Sequence, residues 1–175
     1  MKLLATFNPE VASGEEVITY PIREAARAIV VDKERNIALL HVSRDRYYKL
    51  PGGGIESKED RTAALRRECL EEIGCKIEVV DEIGMIIENR KFCTLKQISY
   101  CYFAILNGDK GEPSFMEDEI EEGFEAVWVS YDEALVLLSK NEAINLEGRS
   151  YIVPRDTIFL KAAEKFIRES SYQLP

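Results

Sequence analysis

Three glutamates, Glu68, Glu71 and Glu72, carry the strongest chemical signal in the sequence. On a helix of 3.6 residues per turn, Glu68 and Glu72 lie about 40° apart around the axis, and Glu71 lies about 60° to the other side of Glu68. Three carboxylates then share one narrow sector. Like charges at such spacing cost a helix roughly 0.2–0.5 kcal/mol per pair. A hard divalent cation would offset that repulsion, because carboxylate oxygens are its preferred ligands. Leu65 and Cys69 project beside Glu68 and Glu72, so the acidic sector borders an apolar stripe and is not simply the outermost face. A solvated acidic face bridged by Arg66 and Arg67 would show the same spacing.

Upstream, Leu50 and Pro51 lead into Gly52, Gly53 and Gly54. Three glycines beside a proline suit neither a helix nor a strand interior. They let the backbone approach a ligand closely, and their carbonyls are further oxygen donors for a cation. The acid-bearing helix is expected to start near Ser57, with Ser57 and Asp60 at capping-box spacing, and to stop at Gly74. Residues 25–31 and 37–42 are apolar and flank a polar 32–36, which predicts a hairpin, and 44–49 reads as a polar connection with two tyrosines. Strands are expected at 77–80, 83–87, 97–106 and 126–129, with a turn at 107–109 and an acidic loop over 113–123. Ser130 is placed to cap a helix over 131–139, and Pro154 to open a last one. In that last helix Ile158, Phe159, Ala162, Ala163, Phe166 and Ile167 repeat at core-facing spacing. Hairpins mixed with helices predict an α+β fold, a mixed sheet covered by helices. No repeat, low-complexity tract or long linker interrupts the chain, so residues 1–175 are expected to form one domain.

Taken together, Gly53, Glu59, Arg67, Glu68, Cys69, Glu71, Glu72, Gly74 and Cys75 match a long fixed pattern. It resembles the Nudix box, G-x5-E-x7-R-E-U-x-E-E-x-G-U, where U is a bulky aliphatic residue. Seven specified residue types give a chance match on the order of 10⁻⁸ or below per starting position. Cys69 and Cys75 are departures at the two U positions, and both are apolar enough to pack. The resemblance implies a mixed sheet sandwiched between helices and hydrolysis at a phosphorus of a nucleoside diphosphate derivative. It implies that Glu68, Glu71, Glu72 and the Gly52 carbonyl would bind magnesium or manganese. Arg67 would orient Glu68, and Glu59 would support the metal shell. The general base differs among family members; Glu68 and an acid of the 117–122 loop are the candidates here, with Glu122 placed first and Glu119 second.

The net charge of −9 disfavours extended nucleic acid, which needs a basic face, and with it a messenger-decapping role. Cys69, Cys75, Cys93 and Cys101 lack C-x-x-C spacing and have only His41 to join them, so zinc is not expected. Cys69, Cys75 and Cys101 sit among apolar neighbours, as buried reduced thiols would, which fits a reducing compartment. Neither a signal peptide nor a membrane span is apparent, so a cytoplasmic protein is expected. The expected partner is a small-molecule nucleotide; a homodimer is allowed but not demanded.

Substrate marks are weaker. The family's ADP-ribose-cleaving group often has a proline some fifteen residues past the box, and residues 88–91 contain none; the dinucleoside-polyphosphate group tends to show a tyrosine where this chain has Phe92 and Cys93. A nucleoside triphosphate cut to monophosphate and pyrophosphate is therefore favoured, with ADP-ribose or nucleotide-sugar hydrolysis and a non-catalytic nucleotide sensor as alternatives. Retention of every box acid favours the enzyme over the sensor. Tyr47 and Tyr48 could stack on a base, and Arg44 and Arg46 could hold phosphate.

Overall fold

A computed structural model describes residues 1–168. The chain runs β1 (Leu3–Phe7), α1 (Gly14–Thr19), β2 (Ile22–Val31), β3 (Ile37–Val42), β4 (Tyr47–Lys49), α2 (Arg61–Ile73), β5 (Ile77–Arg90), β6 (Leu95–Leu106), α3 (Glu117–Glu121), β7 (Phe124–Val129), α4 (Tyr131–Lys140), α5 (Val153–Ala162) and α6 (Glu164–Arg168). The strands form a mixed sheet in the order β1-β5-β6-β2-β3-β4, with β7 also paired to β3. The β1–β5 and β2–β6 pairs are parallel, and the rest are antiparallel.

Alternation along β2 builds two cores. Ala26, Ala28 and Val30 face α2 and meet Ala64, Leu65, Cys69 and Ile73. Ile29 and Val31 face the other way, toward Leu138 of α4 and Phe159 and Leu160 of α5. The helices therefore cover both faces, as expected of an α+β sandwich. The alanines at 26 and 28 are small, which lets α2 lie close to the sheet.

The expected hairpin has its turn but little of its ladder. Asp32 holds the turn, its Oδ1 accepting from the Asn36 amide at 2.7 Å. Beyond the single pair Val31–Ile37, β2 and β3 diverge. The chain just after β4 enters the gap. Ala28 N donates to Pro51 O, Ala26 N to Gly53 O, and Ile55 N to Glu24 O, each at 3.0 Å. Buried amides must find acceptors, and the glycine loop supplies them. Residues 47–49, expected as connection, are the strand β4 on β3.

Other local corrections have local causes. Asp60, not Ser57, caps α2: its Oδ1 accepts from the amides of Thr62 and Ala63, both at 2.8 Å. Gly74 ends the helix at φ 65°, as expected. The two expected strands at 77–80 and 83–87 are one, β5, with irregularities at Val79/Asp81 and Glu82/Gly84 that break its apparent period. The acidic loop contains α3. Ser130 caps α4. The last helical run begins as a π-helical turn at Gly148–Ile152, passes into α5 and breaks at Ala163 before α6. β1 and α1 were not expected; Ser13 and Glu16 form the capping box of α1. Cys69, Cys75 and Cys101 are buried and free, and Cys93 is exposed and free. No helix among the described residues is long and apolar enough to cross a membrane.

Candidate active site

Asp60 starts α2 and so fixes the phase of everything on it. Just before it, residues 56–59 turn tightly through a left-handed Lys58, with Glu59 N donating to Glu56 O at 3.1 Å. That turn brings Glu59 back over the helix, where Arg67 grips it at both oxygens, Nε–Oε1 3.1 Å and Nη2–Oε2 3.0 Å. Arg67 also donates to Glu68 Oε1 at 2.8 Å, to Glu71 Oε2 at 3.2 Å and to the Gly54 carbonyl at 3.1 Å. A planar guanidinium with five donors suits such a hub. The bond to Glu59 is the main reason that the Arg67 pKa is raised and that of Glu59 lowered.

Glu72 sits deeper than its two neighbours. It is 1% exposed and lies in the buried stripe with Leu65 and Cys69. Its Oε1 takes Lys49 Nζ at 2.9 Å, and its Oε2 takes the Gly52 amide at 2.5 Å. A buried carboxylate survives only with such donors. The glycines are explained by the same packing. A Cβ on Gly52, which has φ 130°, would come 2.2 Å from the Ala26 carbonyl, and one on Gly53 would come 2.3 Å from the Glu68 carboxylate. The loop is pressed between β2 on one side and the helix acids on the other.

The acidic segment divides its residues. Glu122 pairs with Arg44 at 2.9 Å, and Arg44 also holds Asp45 at 3.0 Å. Glu119 instead lies within reach of the charges of Glu72 and Lys49. Burial first, and the Glu72 charge in addition, raise its pKa, against the lowering by the Met116 amide and by Lys49. The tyrosines lie elsewhere. Tyr47 is packed among Val42, Ala143 and Val153. Tyr48 stacks on His41 with centroids 4.6 Å apart. Both line a cleft with exposed Arg46, Ser43 and Lys140, and none of the α2 acids lines it.

Sequence comparison decides the family. A model of the NUDIX domain matches residues 21–148, most of the chain. The chain belongs to the Nudix family. Curated protein sequences offer no match. Among solved structures, a MutT protein from Methanosarcina mazei Go1 superposes with a TM-score of 0.56 at 19% identity, covering 87% of this chain and 98% of that one. The E. coli ORF135 protein gives 0.59 at 18% identity, with 88% and 96% covered. A C. elegans Ap4A hydrolase gives 0.58 at 15% identity, with 84% and 99% covered. At these identities the likeness is one of fold. Nudix proteins are hydrolases of nucleoside diphosphate-linked substrates, and this chain is an enzyme of that family.

Nudix hydrolases use divalent metals, so the donors must be tested against one. Among the described residues no group of three such side chains could hold an ion as they stand. Arg67 holds one oxygen each of Glu68 and Glu71, and Lys49 holds one of Glu72. In kind the set fits a hard cation, since the donors are carboxylates and backbone carbonyls beside a glycine cradle that a Cβ would fill. Lys49 is long and only partly exposed, held between Glu72 and the face of the Phe124 ring, and it would have to turn aside for a cation to reach Glu72. Sequence reading did not single out Lys49. Its only signal is a cation directly before Leu50 and Pro51, which has no meaning until β4 turns it toward α2.

Proposed function

We propose that this Nudix hydrolase cuts a nucleoside triphosphate to the monophosphate and pyrophosphate with magnesium or manganese. The observation that supports metal-dependent hydrolysis is the burial of Glu72 against the Gly52 amide, with Glu68 and Glu71 beside it on one helix sector; the triphosphate rests on the lack of the ADP-ribose proline and the dinucleoside-polyphosphate tyrosine. Glu68, Glu71, Glu72 and the Gly52 carbonyl would hold the cation. Such a cation would supply charge neutralisation for phosphoryl oxygens and activation of water. Arg67 fixes the carboxylate directions through Glu59, Glu68 and Glu71. Lys49, paired with Glu72, supplies a cation beside the acids, suited to an anionic substrate. Glu119 is the loop acid that fits the general base, since burial and the Glu72 charge keep its proton affinity high.

Glu119→Gln is expected to lower kcat by about 10²-fold or more and to remove the acidic limb of the kcat/KM–pH profile. Glu122→Gln, which breaks the Arg44 pair, should change kcat by less than about threefold. Equal profiles for both variants and the parent would remove the loop acid from the mechanism. The substrate reading is tested by one release assay with product identification over nucleoside triphosphates, oxidised triphosphates, ADP-ribose and nucleotide sugars. A triphosphate should give the highest kcat/KM. If ADP-ribose exceeds it by about tenfold or more, the triphosphate reading is wrong while the hydrolase reading stands.

A further inference from the structure

Arg27 interrupts the apolar face that β2 turns toward α5. It is 6% exposed, and Arg155 on α5 is 1% exposed. Among the described residues, nothing accepts a hydrogen bond from Nε or Nη1 of Arg27, or from Nη1 of Arg155. The carboxylates nearby are already engaged. Asp156 takes Arg155 Nε at 2.7 Å on one oxygen and the Leu50 amide at 2.8 Å on the other. Glu88 takes Arg90 Nη2 at 3.2 Å and Gln97 Nε2 at 2.8 Å, and lies 3.7 Å from Arg155 Nη1. Glu72 is bound to Lys49 and Gly52. Burying a cation whose N–H groups lack acceptors is among the costliest arrangements in a protein core. Burial, and next the charge of Arg155, lower the Arg27 pKa to about 10, although Asp156 and Glu72 pull the other way.

The place of this pair matters as much as its state. A Cβ on Gly52 would lie 2.9 Å from the Arg27 Cα. The residues on either side of Arg27 donate their amides to the carbonyls of Gly53 and Pro51. Asp156, next to Arg155, anchors Leu50 at the start of the same loop. The two guanidiniums therefore sit beneath the glycine loop, on the sheet face away from α2, while the loop touches Glu72 on the α2 side. Guanidinium donors are shaped for tetrahedral oxyanions. Arg155 is paired with Asp156 and lies beside Glu88, so among the described residues the guanidinium left without a carboxylate is that of Arg27, with Nη1 of Arg155 as one further donor without an acceptor.

We propose that Arg27 and Arg155 form an oxyanion subsite beneath the glycine loop, which takes a phosphate group of the substrate beyond the bond that is cut. Its assignment to substrate rests on the hydrolase reading; the anion site itself does not. The same chemistry would also accept free inorganic phosphate or pyrophosphate.

The probe is inorganic pyrophosphate, titrated calorimetrically into the full chain in EDTA, so that catalysis and metal play no part. The parent protein should bind it. Arg27→Gln should bind at least about tenfold more weakly, and Arg27→Lys, which keeps the charge but not the planar fork, should fall between them. Arg35→Gln, exposed in the β2–β3 turn, should bind like the parent. Pyrophosphate should raise the Tm of the parent and lose that effect in Arg27→Gln. In phosphate-free buffer the Arg27→Gln Tm should be no lower than the parent's, because the variant removes an unpaired buried cation. Kinetics then separate the sources. A KM for nucleoside triphosphate raised about tenfold, with kcat within about threefold, marks a substrate subsite. An unchanged KM with product inhibition weakened to the same extent marks a site for the free anion. Absence of pyrophosphate binding to the parent, or equal binding to the parent and Arg27→Gln, overturns the proposal.

Discussion

Glutamine at position 72 is expected to lower kcat by roughly two orders of magnitude or more, the scale on which single groups of a preorganised charged site act. The amide keeps the size of the side chain and still accepts from the Gly52 amide, so the glycine loop should stay in place. What is lost is the charge, and with it a hard ligand. Lys49 loses its partner at the same time. Its side chain is 14% exposed and long, and its ammonium keeps the face of the Phe124 ring, 4.4 Å from the centroid, so the charge is not stranded. The stability cost should therefore be about 1–2 kcal/mol, well under the 3–5 kcal/mol or so of a stranded buried charge. Magnesium titration of kcat and urea unfolding measure the two effects separately. A near-parental kcat at saturating magnesium would falsify the ligand assignment for Glu72. Loss of cooperative unfolding would show instead that the Lys49 pair is structural.

The sequence made the α2 site legible because its logic is local. The phase of Glu68, Glu71 and Glu72, the stop at Gly74 and the cap at Ser130 all follow from spacing along a single helix or turn. Even there the cap is displaced: Ser57 is the cap expected from the sequence, with Asp60 as its capping-box partner, whereas Asp60 itself caps α2 after a left-handed turn at Lys58 that brings Glu59 within reach of Arg67. What stayed hidden depends on pairing between distant segments. A hairpin was the natural reading of 25–31 and 37–42, since nothing local says that 51–55 will separate the two strands. The irregularities of β5 masked a continuous strand as two short ones. Lys49, Arg27 and Arg155 look like ordinary surface cations in the sequence. They acquire meaning only when β4 faces α2, and when β2 and α5 meet beneath the loop. The α1 capping box, by contrast, is a local signal, carried by Ser13 and Glu16.

The two central glycines should fail in different ways when each is replaced by alanine. At Gly53 the three atoms nearest the added methyl all belong to the carboxylate of Glu68, the movable end of a side chain. Glu68 can rotate away at little cost to the fold, so Gly53→Ala should unfold within about 1 kcal/mol of the parent. The displaced carboxylate leaves both Arg67 and the cation position, however, and misplacement by about 1 Å in such a site costs on the order of 10²-fold in rate. At Gly52 the methyl would meet the Ala26 carbonyl and the Arg27 Cα, which are backbone atoms of a buried strand, and φ 130° is itself closed to alanine. Either the loop leaves β2, orphaning the amides of Ala26 and Ala28, or β2 moves against α2. Gly52→Ala should therefore lose about 3 kcal/mol or more of stability together with its activity. Chemical denaturation paired with single-turnover rates distinguishes the two. An active Gly53→Ala would mean that the contact between Glu68 and the loop is dispensable. A Gly52→Ala protein as stable as the parent would mean that the close approach of the loop to β2 is not what holds it in place.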